Sequence, residues 1–161
     1  KRPAENGAYK RGVVFVKEFV PKPAIAITAR VLYNEPYESV NMKHRLAMAD
    51  DFIEVAYSCY KNKWQSMQVK ALNTPIGFLP NSEEEFITEH YWGYTRLRSD
   101  QTQEYGVEHP AWEMYPVTDY SCDFDFKLLY GDKYEFLNGT QPRSVFLAKG
   151  SDVIVRTGKL I

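Results

Sequence analysis

The sequence predicts an α+β fold that is mostly antiparallel β-sheet, with two or three short helices. Side chains alternate between apolar and polar over 38–48, 52–60 and 64–72, and short polar turns separate these stretches, as in a meander. Helical periodicity is confined to three short stretches. The 161 residues, of which 44% are hydrophobic and 15% aromatic, suit a single domain over 1–161 with a real core.

The first part of the chain predicts a strand and then a helix. Residues 13–19 are β-branched and aromatic, and the prolines that follow end the strand. Pro23 stands where a helix tolerates proline, in the first turn of a helix predicted over 24–33. One face of this helix is apolar and carries Ile25, Ala29, Leu32 and Tyr33. Arg30 lies off that face and is either a solvated helix charge or a ligand contact.

The meander begins with 38–48, whose side chains divide between two faces. One face is predicted to be buried and carries Glu38, Val40, Met42, His44, Leu46 and Met48. Turns at 50–51 and 61–63 then lead into the next two strands. A histidine on such a face is usually a hydrogen-bonded core residue, and a functional role is the alternative for His44.

Residues 80–116 predict a helix, a strand, a polar turn and a returning strand. Ser82 and Glu85 have the spacing of a capping box, so the helix is expected to begin at Ser82. From Trp92 to Arg98 the period changes to two, which predicts a strand, and a returning strand is predicted to end near His109. The C-terminal segment predicts a helix over 123–130, ended by a glycine, and two strands over 144–148 and 153–157.

Composition excludes several classes of partner. The formal net charge is -1, from 20 basic and 21 acidic residues, so no basic surface for nucleic acid or an anionic membrane is expected. No apolar run reaches the length of a membrane helix. Cys59 and Cys122 lie in no metal or redox spacing, which is typical of reduced residues in a cytoplasmic protein. Self-association into a homo-oligomer is left open.

The common catalytic and cofactor motifs are absent from the sequence. There is no phosphate-binding glycine loop, GxSxG, HExxH, CxxC or dinucleotide fingerprint, so no cofactor is predicted. A metal site is not expected, because the histidines and nearby glutamates have no short-range ligand spacing. The residues concerned are His44, His90, His109, Glu89 and Glu108.

The strongest candidate for chemistry is an acid and base pair, Glu89 and His109. Glu89 at the end of the helix and His109 on the returning strand are expected to meet near Tyr91 and Trp112, where a partly dry pocket would separate their pKa values. The alternative is a structural hydrogen bond between helix and strand. Polar groups on the face that carries His44 need partners if they are buried, so Glu38 and His44 are expected to converge on Glu89 and His109. The predicted cavity is lined by Met42, His44, Tyr91, His109 and Trp112.

Four segments carry a family resemblance: RGVVFVKEFVPKPAIAITARVLYNEPY, EEFITEHYWGYT, VEHPAWEMYPVTDY and LNGTQPRSVFLAKGSDVIVRTGKLI. Together they resemble the uncharacterised YqjF-like family, whose fold is similar to that of acetoacetate decarboxylase. The resemblance implies a β-rich barrel with a central cavity. Family members are usually longer at the N-terminus, which implies that this chain is the C-terminal two-thirds of a longer domain and that early barrel strands lie outside it.

The resemblance also bears on chemistry. The decarboxylases carry a Schiff-base lysine in a Pro-Lys-Lys motif shortly after an arginine-bearing helix. Here Tyr37 and Glu38 follow Pro36 at the corresponding place, after the helix that carries Arg30. Tyrosine cannot form an imine, so amine catalysis is not expected.

Two hypotheses of function follow. The first is a module that binds a small, mostly apolar or oxo/carboxylic molecule, with Arg30, Met42, His44, Tyr91 and Trp112 as its contacts. The second is an enzyme that acts on a small molecule by general acid and base catalysis through Glu89 and His109. The sequence leaves open whether there is catalysis at all.

Overall fold

Antiparallel sheet and a few short helices make up the structure, a computed structural model that describes residues 2–3, 9–10, 12–32, 34–97 and 101–161. In chain order the strands are β1 (Arg2–Pro3), β2 (Tyr9–Lys10), β3 (Val13–Val14), β4 (Glu18–Val20), β5 (Tyr37–Ser39), β6 (Met42–Met48), β7 (Phe52–Lys61), β8 (Lys63–Leu72), β9 (Trp92–Arg96), β10 (Thr102–Glu108), β11 (Met114–Tyr115), β12 (Val117–Asp123), β13 (Leu147–Ala148), β14 (Ile154–Val155) and β15 (Lys159–Leu160). The helices are α1 (Pro23–Leu32), α2 (Glu83–Thr88) and α3 (Phe126–Tyr130), with a 3-10 helix at Asp132–Leu137. The predicted α+β class is confirmed. Tyr33, predicted on the apolar face of the first helix, and Arg98, predicted at the end of the strand from Trp92, lie outside the described residues.

Two sheets organise the molecule. The first has five strands in the order β14-β10-β9-β3, with β15 also paired to β10. The second has four strands in the order β12-β8-β7-β6. All pairings in these two sheets are antiparallel except β3 with β9, and β4 and β5 form a separate parallel pair beside α1. The described strands form open sheets and no closed barrel, which corrects the barrel that the resemblance implied.

The meander is confirmed as β6, β7 and β8, but its first strand is shorter than the predicted 38–48, because β5 pairs with β4 and β6 begins at Met42. Their register pairs Phe52 with Leu72, and Met48 with Ile53, so the turns lie where the polar pairs predicted them. Asn62 has φ 59° in the tight turn between β7 and β8, a conformation that asparagine tolerates. Strand β12, which the sequence analysis did not identify, extends the sheet beyond β8.

The predicted burial of the β6 face is wrong. Register places Leu46 beside Val55 and Val69 on one face of the sheet, and Val69 is buried, whereas Leu46 is 61% exposed. His44 is also exposed. The apolar pattern identified the correct face, but β6 is the edge strand of this sheet, so its side chains have neighbours on one side only.

The predicted strand over 13–19 is divided in two. The division allows β3 to pair with β9 while β4 pairs with β5, so the two halves join different sheets. Phe15 and Lys17 lie between these two strands. The Lys17 ammonium group donates a 3.0 Å hydrogen bond to the backbone oxygen of Leu129 near the end of α3. This division creates space between the first sheet and the β4–β5 pair.

The helices follow their sequence signals closely. Ser82 caps α2 by accepting a hydrogen bond from the Glu85 amide, as predicted, and Glu85 in turn accepts from the Asn81 amide. Helix α3 begins later than predicted, after the cap Asp125, and ends at Gly131 with φ 99°. The predicted apolar face of α1 is not buried, because Ala26 is its only buried residue. No helix in the described part of the chain is long and apolar enough to cross a membrane.

Candidate functional site

A cavity of about 520 Å³ is bounded by α1, the β4–β5 pair and the first sheet. We call it the α1 cavity, and it is lined by Phe15, Glu18, Ala29, Glu35, Tyr37, Gln103, Tyr105, Val107, Val153, Val155, Arg156 and Gly158. Its volume lies within the usual range for small-molecule sites. Its lining combines apolar walls with two glutamates and two tyrosines, so the groups most capable of chemistry are gathered on one cavity.

Glu18 and Tyr37 are two neighbouring ionisable side chains of the α1 cavity. They are register partners in the parallel β4–β5 pair, which sets their side chains next to each other, with the Tyr37 hydroxyl close enough to the Glu18 carboxylate to lower its pKa by hydrogen bonding. Burial raises the pKa of Glu18, the hydrogen bond from Tyr37 lowers it, and the charge of Glu35 raises it again, with a net upward result. Burial and the hydrogen bond to Glu18 also raise the pKa of Tyr37, so this phenol stays neutral at physiological pH.

Glu35 is the second carboxylate of the cavity. Asn34, with φ 54°, ends α1 and turns the chain so that the Glu35 amide donates to the Ala29 carbonyl at 3.0 Å. The Thr95 hydroxyl donates to Glu35 Oε1 at 2.7 Å. Oε2 is buried and makes no hydrogen bond within the part of the chain that the structure describes. A buried acceptor without a partner costs free energy, which marks Glu35 as unusual in this fold.

Tyr105 closes the cavity wall beside Glu35. It is 7% exposed and is the register partner of Gly93, where a β-carbon would lie 2.3 Å from the tyrosine ring. Only glycine at this place lets the ring lie across β9 and towards the carboxylate. Burial raises the pKa of Tyr105, and the charge of the neighbouring Glu35 raises it further.

The rim of the cavity is polar on one side and apolar on the other. Arg156 makes two hydrogen bonds to Glu108, of 2.8 and 2.7 Å, so part of its guanidinium is engaged at the rim. Val153 and Val155 are 46% and 52% exposed, which shows that the cavity opens to solvent beside β14. A ligand therefore has a route in past an apolar edge.

A larger cavity, of about 920 Å³, lies between β12 and the segment 137–146. Its lining is mostly apolar, including Met67, Val69 and Phe124, and it contains no carboxylate among the residues described there. The α1 cavity is the better candidate site because it combines apolar walls with converging carboxyl and hydroxyl groups, the combination typical of small-molecule sites.

The structure brings four of the predicted site residues together. The Tyr91 hydroxyl donates a hydrogen bond to Glu89, the Tyr91 ring stacks on His109 at 5.4 Å, and His109 stacks on Trp112 at 4.5 Å. We call the three rings the aromatic stack. His109 Nδ1 lies 2.9 Å from the Pro110 carbonyl oxygen, so the described contacts join Glu89 to His109 only through Tyr91. Tyr91 is 41% exposed, which places the stack near the surface.

The remaining predicted residues lie apart from this stack. Met42 and His44 are on β6, where the His44 ring stacks on Tyr57 at 6.2 Å. Glu38 pairs with Lys61 and, at 3.4 Å, with Lys17. The predicted convergence of Glu38 and His44 on Glu89 and His109 is therefore wrong. Glu38 is paired with lysines, and His44 is exposed to solvent.

Arg30 lies beside the α1 cavity but does not line it. The side chain is exposed, and Nε donates a hydrogen bond to the backbone oxygen of Tyr37. This contact ties the end of α1 to the start of β5. Arg30 therefore fixes the position of Tyr37 by holding its backbone.

Sequence reasoning did not identify Glu18, Glu35 or Tyr105 as site residues. One signal was present, because Glu18 is the single acid in the apolar run 13–20. Glu35 sits in an ordinary helix-ending sequence between Asn34 and Pro36 and gave no such signal. Among the described residues, no group of three or more histidines, cysteines and acids could hold a metal ion.

These features define a mostly antiparallel α+β protein with an acidic, tyrosine-lined cavity beside its first helix. The chain belongs to the DUF2071 family, described as an uncharacterised conserved protein, whose family model matches residues 4–152. Searches of curated proteins and of solved structures find no match.

Proposed function

We propose that this protein binds a small, mostly apolar molecule in the α1 cavity and does so without Schiff-base chemistry. The observation that carries the proposal is the cavity itself, in which Glu18, Glu35, Tyr37 and Tyr105 converge on one polar end. Its remaining walls are largely valine, alanine and phenylalanine. Apolar walls with a few fixed polar groups are typical of small-molecule sites.

The chemistry of the lining residues supports binding without an amine nucleophile. There is no lysine among the described residues that line the cavity. Lys17 is adjacent to Glu18 in the sequence, but its ammonium group is occupied by Glu38 and by the backbone oxygen of Leu129. Tyr37 lines the cavity with a raised pKa, so it offers a neutral hydroxyl rather than a nucleophile.

The likeness to YqjF-like proteins and to the acetoacetate decarboxylase fold is part of the same proposal. Supporting it, Tyr37 follows the arginine-bearing helix at the place where the resemblance expects the reactive lysines, and Tyr37 lines the α1 cavity. On this proposal the protein keeps the location of its relatives' cavity and uses it for binding. Its partner is then a small molecule and not a nucleic acid, in line with the net charge of -1.

A ligand screen with a blocked cavity tests the proposal. Thermal shift and calorimetry are run with small apolar alcohols, ketones, carboxylic acids and amines on the parent protein and on Ala29→Phe, which fills the cavity from α1. Ile27→Phe, on the exposed side of the same helix, is the matched control because Ile27 is 60% exposed. Binding should persist in Ile27→Phe and disappear in Ala29→Phe. Equal binding in all three proteins would place the site elsewhere.

A second candidate function is general acid and base catalysis at the aromatic stack. One observation favours it: Tyr91 donates to Glu89 and stacks on His109, which links the predicted acid and base in one cluster. Turnover of small oxo acids and esters should then fall in Glu89→Gln and in His109→Ala. His44→Ala is the control, because His44 lies on β6 outside the stack. Absence of turnover in the parent, or equal turnover in the three variants, would exclude this function.

A further inference from the structure

The two carboxylates of the α1 cavity lack the cations that neutralise other acids of the fold. Glu38 has Lys61 and Lys17 as partners, and Glu108 has Arg156. Within the described part of the chain, neither Glu18 nor Glu35 forms an ion pair. The described ion pairs therefore leave the acidic end of this cavity without a cation.

The hydroxyl groups around the cavity satisfy only part of this acidic end. The Thr95 hydroxyl donates to Glu35 Oε1, and the hydroxyls of Tyr37 and Tyr105 lie beside Glu18 and Glu35. Glu35 Oε2 stays buried without a hydrogen bond among the described groups. A buried carboxylate oxygen is costly unless a donor or a positive charge approaches it, so this end of the cavity favours a ligand that carries hydrogen-bond donors.

Arg156 is the one cation among the described residues that line the cavity, and it pairs with Glu108. Its guanidinium makes two hydrogen bonds to Glu108, so part of its donor capacity and its charge are directed to that glutamate at the rim. A carboxylate ligand would be repelled by Glu18 and Glu35. The carboxylic class that the sequence suggested is therefore the least favoured of the candidate ligands.

We infer that the ligand of the α1 cavity is an organic ammonium compound, with its charged nitrogen at the Glu18 and Glu35 end and an apolar body along the valine wall. This inference rests on the proposed function and names the chemical class of its ligand. An ammonium group has three donors and no acceptor, which matches a cavity end made of acidic acceptors. Phe15, Val107 and Val155 provide the apolar surface for the rest of the molecule.

Three probes of nearly equal size test the inference: benzylamine, benzyl alcohol and benzoate. Their dissociation constants are measured by calorimetry in phosphate buffer, which avoids the amines of common buffers. Benzylamine should bind about 10-fold more tightly than benzyl alcohol, the size of effect expected from one charge-assisted contact, and benzoate should bind least. Glu35→Gln should remove the advantage of benzylamine and leave benzyl alcohol unchanged.

Two further variants make the test decisive. Glu18→Gln should also reduce the preference for benzylamine, which keeps the inference testable if Glu35→Gln does not fold. Glu113→Gln, an exposed acid that pairs with Lys149 away from the cavity, should bind like the parent. Equal affinity for benzylamine and benzyl alcohol, abolished by Ala29→Phe, would overturn the inference while the proposed function stands. Absence of binding by every probe and by the wider ligand screen would overturn both.

Discussion

The Thr95 hydroxyl donates a 2.7 Å hydrogen bond to Glu35 Oε1, and this bond joins β9 of the first sheet to the segment that follows α1. Thr95 is 2% exposed, so water cannot replace the hydroxyl. The bond orients a carboxylate whose other oxygen has no partner among the described residues. The bond therefore links two parts of the fold and fixes the position of the Glu35 carboxylate in the α1 cavity.

Thr95→Val should destabilise the protein by about 2 kcal/mol, because it keeps the side-chain shape and leaves a buried carboxylate oxygen without its donor. Urea denaturation of parent and variant measures the difference. Thr95→Ser, which retains the hydroxyl, should lose clearly less. If the valine variant is as stable as the serine variant, the hydrogen bond does not hold Glu35.

A second prediction concerns Glu18 and pH. Because burial raises its folded-state pKa above 4.5, the folded protein holds the Glu18 proton more tightly than the unfolded chain does. The free energy of unfolding contributed by this group therefore falls as the pH rises from about 4.5 through the raised pKa, and the loss is complete above it. Glu18→Gln removes the titration, so the variant should gain stability relative to the parent as the pH increases.

Melting temperatures of parent and Glu18→Gln between acidic and neutral pH check this sign. The difference between the two curves matters, since other acids, such as Glu38, have lowered pKa values and act in the opposite direction. For Glu38, burial opposes ionisation, but the hydrogen bond and charge of Lys61, assisted by Lys17, outweigh it. Parallel curves, or a parent that gains on the variant as the pH rises, would show that the folded structure does not raise the pKa of Glu18.

Much of the fold was predictable because its signals are local. The meander follows from alternation and turn residues, and α2 follows from the cap formed by Ser82 and Glu85. Burial was less predictable, since the exposure of Leu46 depends on β6 lying at a sheet edge, which no pattern within the strand reveals. Strand β12 was missed because its side chains are mostly exposed and polar, so they lack apolar alternation.

Part of the predicted site was accessible from the sequence because its residues lie on one continuous stretch. Glu89 and His109 were expected to meet near Tyr91 and Trp112, and the structure brings these four residues together, with Tyr91 between Glu89 and His109. Glu35 and Thr95 are brought together over a long stretch of chain, and the arrangement depends on pairings of β3 with β9 and of β4 with β5. Both pairings are parallel, and parallel partners require long connections whose geometry the local sequence does not determine.

A third prediction is that the protein forms no Schiff base. The described lining of the α1 cavity contains Tyr37 and no lysine, so a small oxo acid bound there meets no amine. Borohydride reduction with acetoacetate, followed by mass spectrometry, should show no more label than an unfolded control. A stable adduct on one particular lysine of the folded protein would contradict this prediction.

The last prediction concerns Gly93, which gives Tyr105 its position. A β-carbon at Gly93 would lie 2.3 Å from the Tyr105 ring, and the ring cannot shift far because it is 7% exposed. Gly93→Ala should therefore cost about 1–3 kcal/mol of stability, the usual range for overpacking, and should weaken ligand binding by turning Tyr105 away from Glu35. Gly106→Ala is the matched control on the neighbouring strand, since its β-carbon would meet Arg156 at an ordinary 3.6 Å. Urea denaturation and benzylamine calorimetry on both variants separate the two effects. If Gly93→Ala and Gly106→Ala behave alike in both measurements, the packing of Tyr105 over β9 does not shape the cavity.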